Sequence, residues 1–176
     1  MKIALEQIRE TPRALTYVED VDALNQELAR GAGDYRMTEG LEVDVSYHRA
    51  GLDVFVEGTV RAAVHGACAR CLGDYAFSLD VSVAIVLTPA AAETPTSGAL
   101  REEDIGLAYY DGDEIDLTPL VHEQTLLALP TRPLCGEECR GLCSRCGANL
   151  NAGPCGCPAS VTGGRLAVLQ TLLRER

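Results

Sequence analysis

The sequence predicts an α+β protein, in which an antiparallel β-meander is flanked by helices and followed by a cysteine-rich, zinc-binding module. Three observations lead to this class. Apolar and polar residues alternate with a period of two between about residues 40 and 87, as in half-buried strands. Three segments have the apolar spacing of helices, namely 21–30, the stretch from a cap at Asp116 or Thr118 to Pro130, and 165–176. Six of the eight cysteines lie between residues 135 and 157, so we expect this part to fold around metal.

The pattern divides the chain into three parts. Residues 1–87 are predicted to form an N-terminal segment and the antiparallel sheet. Residues 88–114 are rich in Pro, Ala and acidic residues and have no periodicity, which predicts a flexible linker. Residues 115–176 are predicted to form a helix, the zinc module and a terminal helix. We expect this third part to pack on the sheet through a shared metal site.

The sheet is expected to contain four strands with one buried face. A further short strand over Lys2–Ile8 is one interpretation of the N-terminal segment. Breaks between the four strands are predicted at Gly51, at Gly58 and at the first cysteine pair. The alternating positions expected to point inward are Leu41, Val43, Val45, Val54, Val56, Val60, Ala62, Val64, Phe77, Leu79, Val81, Val83 and Ile85.

Three helices are predicted. The first covers Val21–Arg30, and Gly31 marks its end. The second begins at a cap, either Asp116 or Thr118, and ends at Pro130. Its apolar face is expected to comprise Leu117, Leu120, Val121, Leu127 and Ala128. The third covers Arg165–Arg176, with apolar residues at Leu166, Leu169, Leu172 and Leu173.

The composition limits the location of the protein. No apolar run approaches the ~20 residues that a membrane-spanning helix needs. The first residues, MKIALEQIRETPRAL, lack the continuous apolar segment of a secretory signal. We therefore expect a cytoplasmic location and no membrane partner. Because disulfides are rare in such a reducing space, the cysteines are more readily interpreted as metal ligands.

The net charge of −11 is distributed unevenly. Residues 131–176 contain six Arg and three Glu, so the remaining chain has a net charge of −14. The acidic majority is expected to repel nucleic acid at long range, which favours a basic protein over naked RNA as the partner.

The cysteine spacing predicts two four-sulfur zinc sites. Zn²⁺ prefers a tetrahedron of soft ligands, and a two-residue gap between cysteines allows one turn to direct both sulfurs at one ion. The favoured pairing groups Cys143, Cys146, Cys155 and Cys157 in one site, and Cys68, Cys71, Cys135 and Cys139 in the other. The alternative groups Cys135, Cys139, Cys143 and Cys146, and leaves Cys68 and Cys71 with Cys155 and Cys157. His65 is a substitute ligand in principle, although it fits an ordinary position at a strand end.

A redox role for Cys68 and Cys71 is an alternative from a different functional class. Redox CxxC pairs follow a parallel strand and begin a helix, which lowers the pKa of the first thiol. Here the pair joins two β-patterned runs instead. The chain also lacks the glycine-rich phosphate loop, the HExxH motif and the GxSxG motif. We therefore expect a protein that is not an enzyme and has no small-molecule substrate.

Two segments resemble one known family. Residues 115–157, IDLTPLVHEQTLLALPTRPLCGEECRGLCSRCGANLNAGPCGC, resemble the C-terminal motif of the YceD-like family, the large ribosomal RNA subunit accumulation proteins. Residues 65–77, HGACARCLGDYAF, resemble that family's upstream CxRCL marker. Some members of the family keep the CxRC pair and a remnant near Cys135 and Cys139 but lack the later four cysteines. The resemblance thus implies two separable sites, in agreement with the favoured pairing.

The resemblance implies a function in ribosome biogenesis. We expect a bacterial, non-enzymatic factor for large-subunit assembly and 23S rRNA accumulation, which binds rRNA, a ribosomal protein or an assembly factor. A thiol-disulfide redox protein and a generic zinc-binding adaptor remain the alternatives. The cysteine-rich part also offers three possible phosphate contacts, at Arg140, Arg145 and Arg165.

Overall fold

The computed structural model describes residues 1–31, 34–90 and 107–158. Its centre is a six-stranded sheet in which β2, β4, β5, β6 and β7 are neighbours in that order, and β3 pairs with β5. A separate two-stranded sheet joins β1 to β8. The strands are β1 (Lys2–Ala4), β2 (Arg13–Glu19), β3 (Tyr35–Met37), β4 (Leu41–Ala50), β5 (Asp53–Ala67), β6 (Asp74–Pro89), β7 (Leu107–Tyr110) and β8 (Glu114–Asp116).

The long strands β4, β5 and β6 form the predicted antiparallel meander. In-register pairs such as Val43↔Val60 and Val60↔Val81 place the alternating apolar residues on one face, which is buried. The turn between β4 and β5 has two residues, and Gly51 adopts a φ of 65° there. The break predicted at this glycine is confirmed, because a two-residue hairpin turn requires a positive φ that glycine adopts without steric cost.

The break predicted at Gly58 is wrong, since β5 runs without interruption from Asp53 to Ala67. Gly58 pairs with Val45 of β4. A Cβ at this position would lie 2.2 Å from the backbone oxygen of Asp44 and 2.6 Å from the Cα of Val45. The glycine therefore permits close approach of two strand backbones and does not end a strand. The region predicted as four strands consequently contains three.

Three members of the main sheet were not predicted. β2 pairs antiparallel with β4, and β3 extends the same flank of β5 beyond the end of β4. β7 pairs in parallel with the end of β6, so the sheet is mostly but not entirely antiparallel. Near the N-terminus, the strand interpreted as Lys2–Ile8 is limited to Lys2–Ala4.

Parts of the segment predicted as a linker, 88–114, belong to strands. β6 continues to Pro89, β7 lies inside the predicted segment, and β8 begins at its last residue, Glu114. Side chains of β7 and β8 reach the core. Ile115 of β8 is buried in the core, and Ala108 and Tyr110 of β7 pack against the core. Residues 91–106 lie outside the described residues. The terminal helix predicted at 165–176 also lies outside them.

Two helices contribute to the core. α1 (Asp22–Arg30) buries Leu24 completely, and its last residue is followed by Gly31, as predicted. α2 (Leu117–Ala128) is capped by Asp116, whose carboxylate accepts a hydrogen bond from the backbone N–H of Thr118 at 3.0 Å. Neither helix has the length and apolar character needed to cross a membrane.

The predicted apolar face of α2 is wrong at Leu127, which is 72% exposed. The buried side of the helix is formed by Leu117, Val121 and Thr125 instead. The hydroxyl of Thr125 donates a hydrogen bond to the backbone oxygen of Val121 at 2.7 Å, so this polar side chain is satisfied inside the helix. Leu127 therefore lies on a different side of α2.

The side chain of Asn25 attaches α1 to the sheet. Its amide donates to the backbone oxygen of Met37 at 3.0 Å, and its oxygen accepts from the N–H of Met37 at 2.8 Å. We expect Asn25→Ala to lower the free energy of unfolding by about 2 kcal/mol, because two backbone groups lose their partner beside a buried residue. Denaturant unfolding measures this change. Gln26→Ala, at the exposed neighbouring position, is the control, and an equal loss in both variants would refute the role of Asn25.

Candidate metal centres

The first sulfur cluster connects the sheet to the segment after α2. Cys68 and Cys71 lie in the loop between β5 and β6, and Cys135 and Cys139 approach from the cysteine-rich segment. The sulfurs of Cys68 and Cys139 are 3.8 Å apart, and those of Cys71 and Cys135 are 3.7 Å apart. All four sulfur atoms lie within 4.8 Å of one another. We call this cluster the clasp.

The loop that carries the first two cysteines is a tight turn at the end of a hairpin. The backbone N–H of Leu72 donates to the oxygen of Cys68 at 2.8 Å, and the N–H of Cys68 donates to the oxygen of Gly73 at 3.0 Å. Leu72 has a φ of 58°, which is uncommon for a residue with a side chain. This turn reverses the chain while directing both sulfurs towards the same point.

Arg70 fixes the cysteine-rich segment against this turn. Its guanidinium donates to the backbone oxygens of Glu137 and Cys139, at 3.0 and 3.1 Å. Backbone hydrogen bonds support the same contact, from Ala69 to the oxygen of Pro133 at 2.8 Å and from Leu142 to the oxygen of Arg70 at 3.2 Å. The arginine in the middle of the first CxxC pair therefore has a structural role in the clasp.

The second cluster lies entirely within the cysteine-rich segment. It contains Cys143, Cys146, Cys155 and Cys157, whose sulfurs again lie within 4.8 Å of one another. The N–H of Gly147 donates to the oxygen of Cys143 at 2.9 Å, which repeats the turn seen at Leu72 and Cys68. Gly147 and Gly156 have φ values of 73° and 70°. We call this cluster the knuckle.

The structure brings the eight cysteines together in the favoured pairing, and the alternative pairing is wrong. His65 lies on β5 with an exposed side chain and belongs to neither cluster. Arg140 and Arg145 are exposed, so they remain predicted phosphate contacts. Arg165 lies outside the described residues. Ligation of metal by the two clusters is likewise still a prediction.

Both clusters have the chemistry for zinc, and the clasp has the size. Four sulfurs at about 2.3 Å from a central ion form a tetrahedron with an edge of about 3.8 Å. The sulfur distances of 3.8 and 3.7 Å in the clasp match that edge. A disulfide would need about 2.0 Å, so no bond joins these pairs. The donor set therefore fits a closed, structural zinc site in the clasp. The knuckle also offers four thiols.

Local hydrogen bonds make the thiols of each cluster unequal. Backbone amides, first that of Cys135 and then that of Cys71, lower the pKa of Cys68 to about 6. The amides of Cys146 and Arg145 similarly lower the pKa of Cys143 to about 6. Neighbouring cysteine side chains have the opposite effect on one member of each cluster. Hydrogen bonds with Cys139, in the clasp, and with Cys146, in the knuckle, raise the pKa values of Cys135 and Cys157 to about 12.

Zinc binding to the metal-free protein should therefore release protons. At neutral pH, Cys135 and Cys157 still hold protons that they must lose on coordination, so we expect at least one proton per ion. Below about pH 6, Cys68 and Cys143 also become protonated, so affinity should fall further as the pH falls. Calorimetric titration in two buffers of different ionisation enthalpy measures the released protons. Identical apparent enthalpies in both buffers would contradict this prediction.

Asn151 is a site residue that the sequence analysis missed. It lies between Cys146 and Cys155 of the knuckle in the sequence, but its side-chain amide donates to the sulfur of Cys139 in the clasp at 3.3 Å. This hydrogen bond lowers the pKa of Cys139. The side-chain oxygen of Asn151 accepts from the N–H of Arg140 at 2.7 Å. The residue thus connects the two clusters, and the only sequence signal for it was a pair of asparagines in the loop between the cysteine pairs.

Comparison with known proteins places this chain among relatives of similar sequence. A family model described as large ribosomal RNA subunit accumulation protein YceD matches residues 56–173. An uncharacterized protein of Mycobacterium tuberculosis is 32% identical over 114 residues, which cover 65% of this chain and 53% of that protein. No solved structure shows significant similarity.

Two plant proteins carry the family name. The large ribosomal RNA subunit accumulation protein YCED homolog 1, chloroplastic, of Arabidopsis thaliana is 25% identical over 157 residues, with 77% of this chain and 49% of that protein covered. The protein of the same name from Zea mays is 29% identical over 148 residues, with coverages of 70% and 50%. The chain spans about half the length of the curated relatives it matches. The resemblance seen in the two cysteine motifs is confirmed, and the chain belongs to the YceD family of large ribosomal RNA subunit accumulation proteins.

Proposed function

We propose that this chain acts in the cytoplasm as a non-enzymatic factor for biogenesis of the large ribosomal subunit and accumulation of its 23S rRNA. It does so by binding rRNA, a ribosomal protein or an assembly factor. The family match supports the process. The clasp supports a non-enzymatic role. Its four cysteines, from the β5–β6 loop and the cysteine-rich segment, converge on one point, as in a structural site.

Two zinc ions are part of this proposal, one in the clasp and one in the knuckle. The four sulfurs of each cluster would complete a tetrahedron, whereas catalytic zinc sites keep a position open for water or substrate. Cys68, Cys71 and Cys139 are buried, which suits a structural ion. The ions would hold a segment with little regular secondary structure in a fixed shape for binding a partner.

One observation favours the redox alternative, namely the pKa of about 6 at Cys68. A low pKa is typical of reactive thiols, but zinc ligands also need to be thiolates. Cys68 has no exposed surface, and Cys71 is only 6% exposed, so a protein disulfide could not reach them without opening the clasp. Thiol titration with and without chelator separates the two roles. Eight thiols that react only after zinc removal support the structural role, and one fast thiol in the untreated protein supports the redox role.

Depletion of the protein tests the ribosomal function. We expect the ratio of large to small subunit rRNA to fall in depleted cells and to be restored by the wild-type chain. Cys68→Ser should fail to restore it, whereas Leu52→Ser, in the exposed turn between β4 and β5, should restore it fully. Restoration by Cys68→Ser at equal protein level would show that the ribosomal function does not need the clasp. An unchanged ratio after depletion would instead favour the generic zinc-binding adaptor.

A further inference from the structure

A groove of about 420 Å³ lies beside α2 and is not part of either sulfur cluster. Residues of α2 supply most of its lining, and α1 adds one carboxylate. The lining residues are Glu27, Pro119, His122, Glu123, Leu126 and Leu127.

The groove occupies the side of α2 that faces away from the core. At ~100° per residue, the lining positions of α2 are centred roughly opposite the buried side of Leu117, Val121 and Thr125. Leu127 is 72% exposed there, and Leu126 is half-buried beside it. A helix with apolar residues on opposite sides is expected to be covered on both of them. Among the described residues, the core covers the side with Leu117, Val121 and Thr125 and also contacts Leu126, whereas Pro119 and Leu127 are exposed on the other side.

The charge around the groove is negative. Glu27 and Glu123 lie at its margins. Residues 107–131, which include all of α2, contain five Asp and Glu but no Lys or Arg. The apolar floor and the acidic surroundings together select a ligand that carries both apolar and cationic groups.

Two other occupants fit this chemistry poorly. A nucleic-acid backbone would bring phosphates to the carboxylates of Glu27 and Glu123, and like charges repel. A second copy related by a twofold axis would oppose the same acidic groove with itself, since such an interface uses the same patch twice. A cationic segment of another protein avoids both penalties.

We propose that the groove between Glu27 and the outer side of α2 binds a cationic amphipathic segment of a partner protein. An apolar side chain of the partner packs against Leu126 and Leu127, and Arg or Lys residues on either side pair with Glu27 and Glu123. His122 also lines the groove, and its Nε2 atom is buried without a hydrogen-bond partner among the described residues. The inference deepens the proposed function and rests on it for the identity of the partner as a ribosomal or assembly protein.

A synthetic peptide provides the probe. It would be helical, with leucines spaced i, i+3, i+7 and arginines on both flanks, and a scrambled peptide of the same composition would serve as the control. Binding to the full chain is followed by fluorescence anisotropy. We expect the amphipathic peptide to bind and the scrambled one to bind at least about tenfold more weakly, a difference of about 1.4 kcal/mol.

Three variants locate the binding site. Leu127→Ser and Glu123→Lys should each weaken binding about tenfold, and Leu52→Ser, which changes another exposed leucine, should leave it within about twofold. A peptide with its arginines replaced by glutamates should bind Glu123→Lys better than it binds the wild-type chain. Unchanged thermal unfolding of the variants shows that they are folded. Peptide binding is measured independently of the rRNA ratio. A result against the groove can therefore be distinguished from a result against the ribosomal function.

Several results would overturn the proposal. The groove is not the site if both peptides bind equally, if neither binds, or if Leu127→Ser binds like the wild-type chain. Binding that appears only in a chain ending at Pro158 would show that the chain's own C-terminal residues occupy the groove. A dimer in sedimentation that Leu127→Ser abolishes would show that a second copy does.

Discussion

Replacing Cys71 with serine is expected to release one of two metal ions and to detach the cysteine-rich segment from the sheet. Cys71 supplies one of four sulfurs in the clasp, and zinc in comparable sites contributes roughly 10–16 kcal/mol of folding free energy. Besides the sulfurs, the segment is held at this end of the sheet by the hydrogen bonds of Arg70, Ala69 and Leu142. Leu134 and Leu142 also pack against the clasp cysteines. The hydrogen bonds contribute about 1 kcal/mol each, so they are too weak to preserve the arrangement alone.

Metal analysis and hydrogen exchange together measure this effect. Cys71→Ser should contain about half of the wild-type metal, and amides of residues 131–142 should lose protection, while those of β4–β6 keep theirs. Cys146→Ser is the matched control, because it removes a sulfur from the knuckle only. It should also lose one ion but should keep the segment docked on the sheet. Wild-type metal content in either variant would show that the ligand assignment is wrong.

Gly58→Ala is expected to destabilise the sheet by about 3 kcal/mol, at the upper end of the usual cost of overpacking. The added Cβ would lie 2.2 Å from the backbone oxygen of Asp44, and a backbone atom cannot rotate away as a side chain can. β4 and β5 must therefore separate locally, at the centre of a register that runs from Ala50↔Asp53 to Glu42↔Arg61.

Thermal unfolding checks this prediction. A loss of that size corresponds to a fall in Tm of roughly 6–12 °C for a chain of this length. Gly136→Ala is the control, since a Cβ at Gly136 meets no atom within 4 Å and the residue has no positive φ. Its Tm should change by about 2 °C or less. Equal changes in the two variants would mean that the close approach at Gly58 has no energetic role.

The central sheet could be predicted because its signal is local. Alternation with a period of two identifies β4, β5 and β6. The same alternation also indicates that the chain continues as one strand through Gly58. Val54, Val56, Val60 and Val64 keep the same parity across the glycine, as they would in one strand but need not in two. β3 and β7 have only three and four residues, and their pairing depends on distant partners. No pattern within such short segments distinguishes them from loop.

The pairing of the cysteines could be predicted from the short spacings within each pair and from the short loop that closes the knuckle. The contacts that support the clusters could not be. Arg70 and Asn151 act on backbone atoms and on a sulfur that are distant in sequence, so their roles follow from the tertiary fold. The exposure of Leu127 was missed for a related reason. Thr125 took the buried position because its hydroxyl is satisfied within the helix, which apolar spacing alone does not indicate.

The very different sequence spans of the clasp and the knuckle imply an order of assembly when the complete chain refolds. The outermost cysteines of the knuckle are 14 positions apart, whereas Cys68 and Cys139 are separated by 71. Because local contacts form before distant ones, we expect the knuckle to acquire its ion first when the unfolded, complete chain refolds with zinc. The clasp needs the hairpin of β5 and β6 in its final register first. Its ion would then be the last component to enter, so a chain with both ions is one whose sheet has already folded correctly.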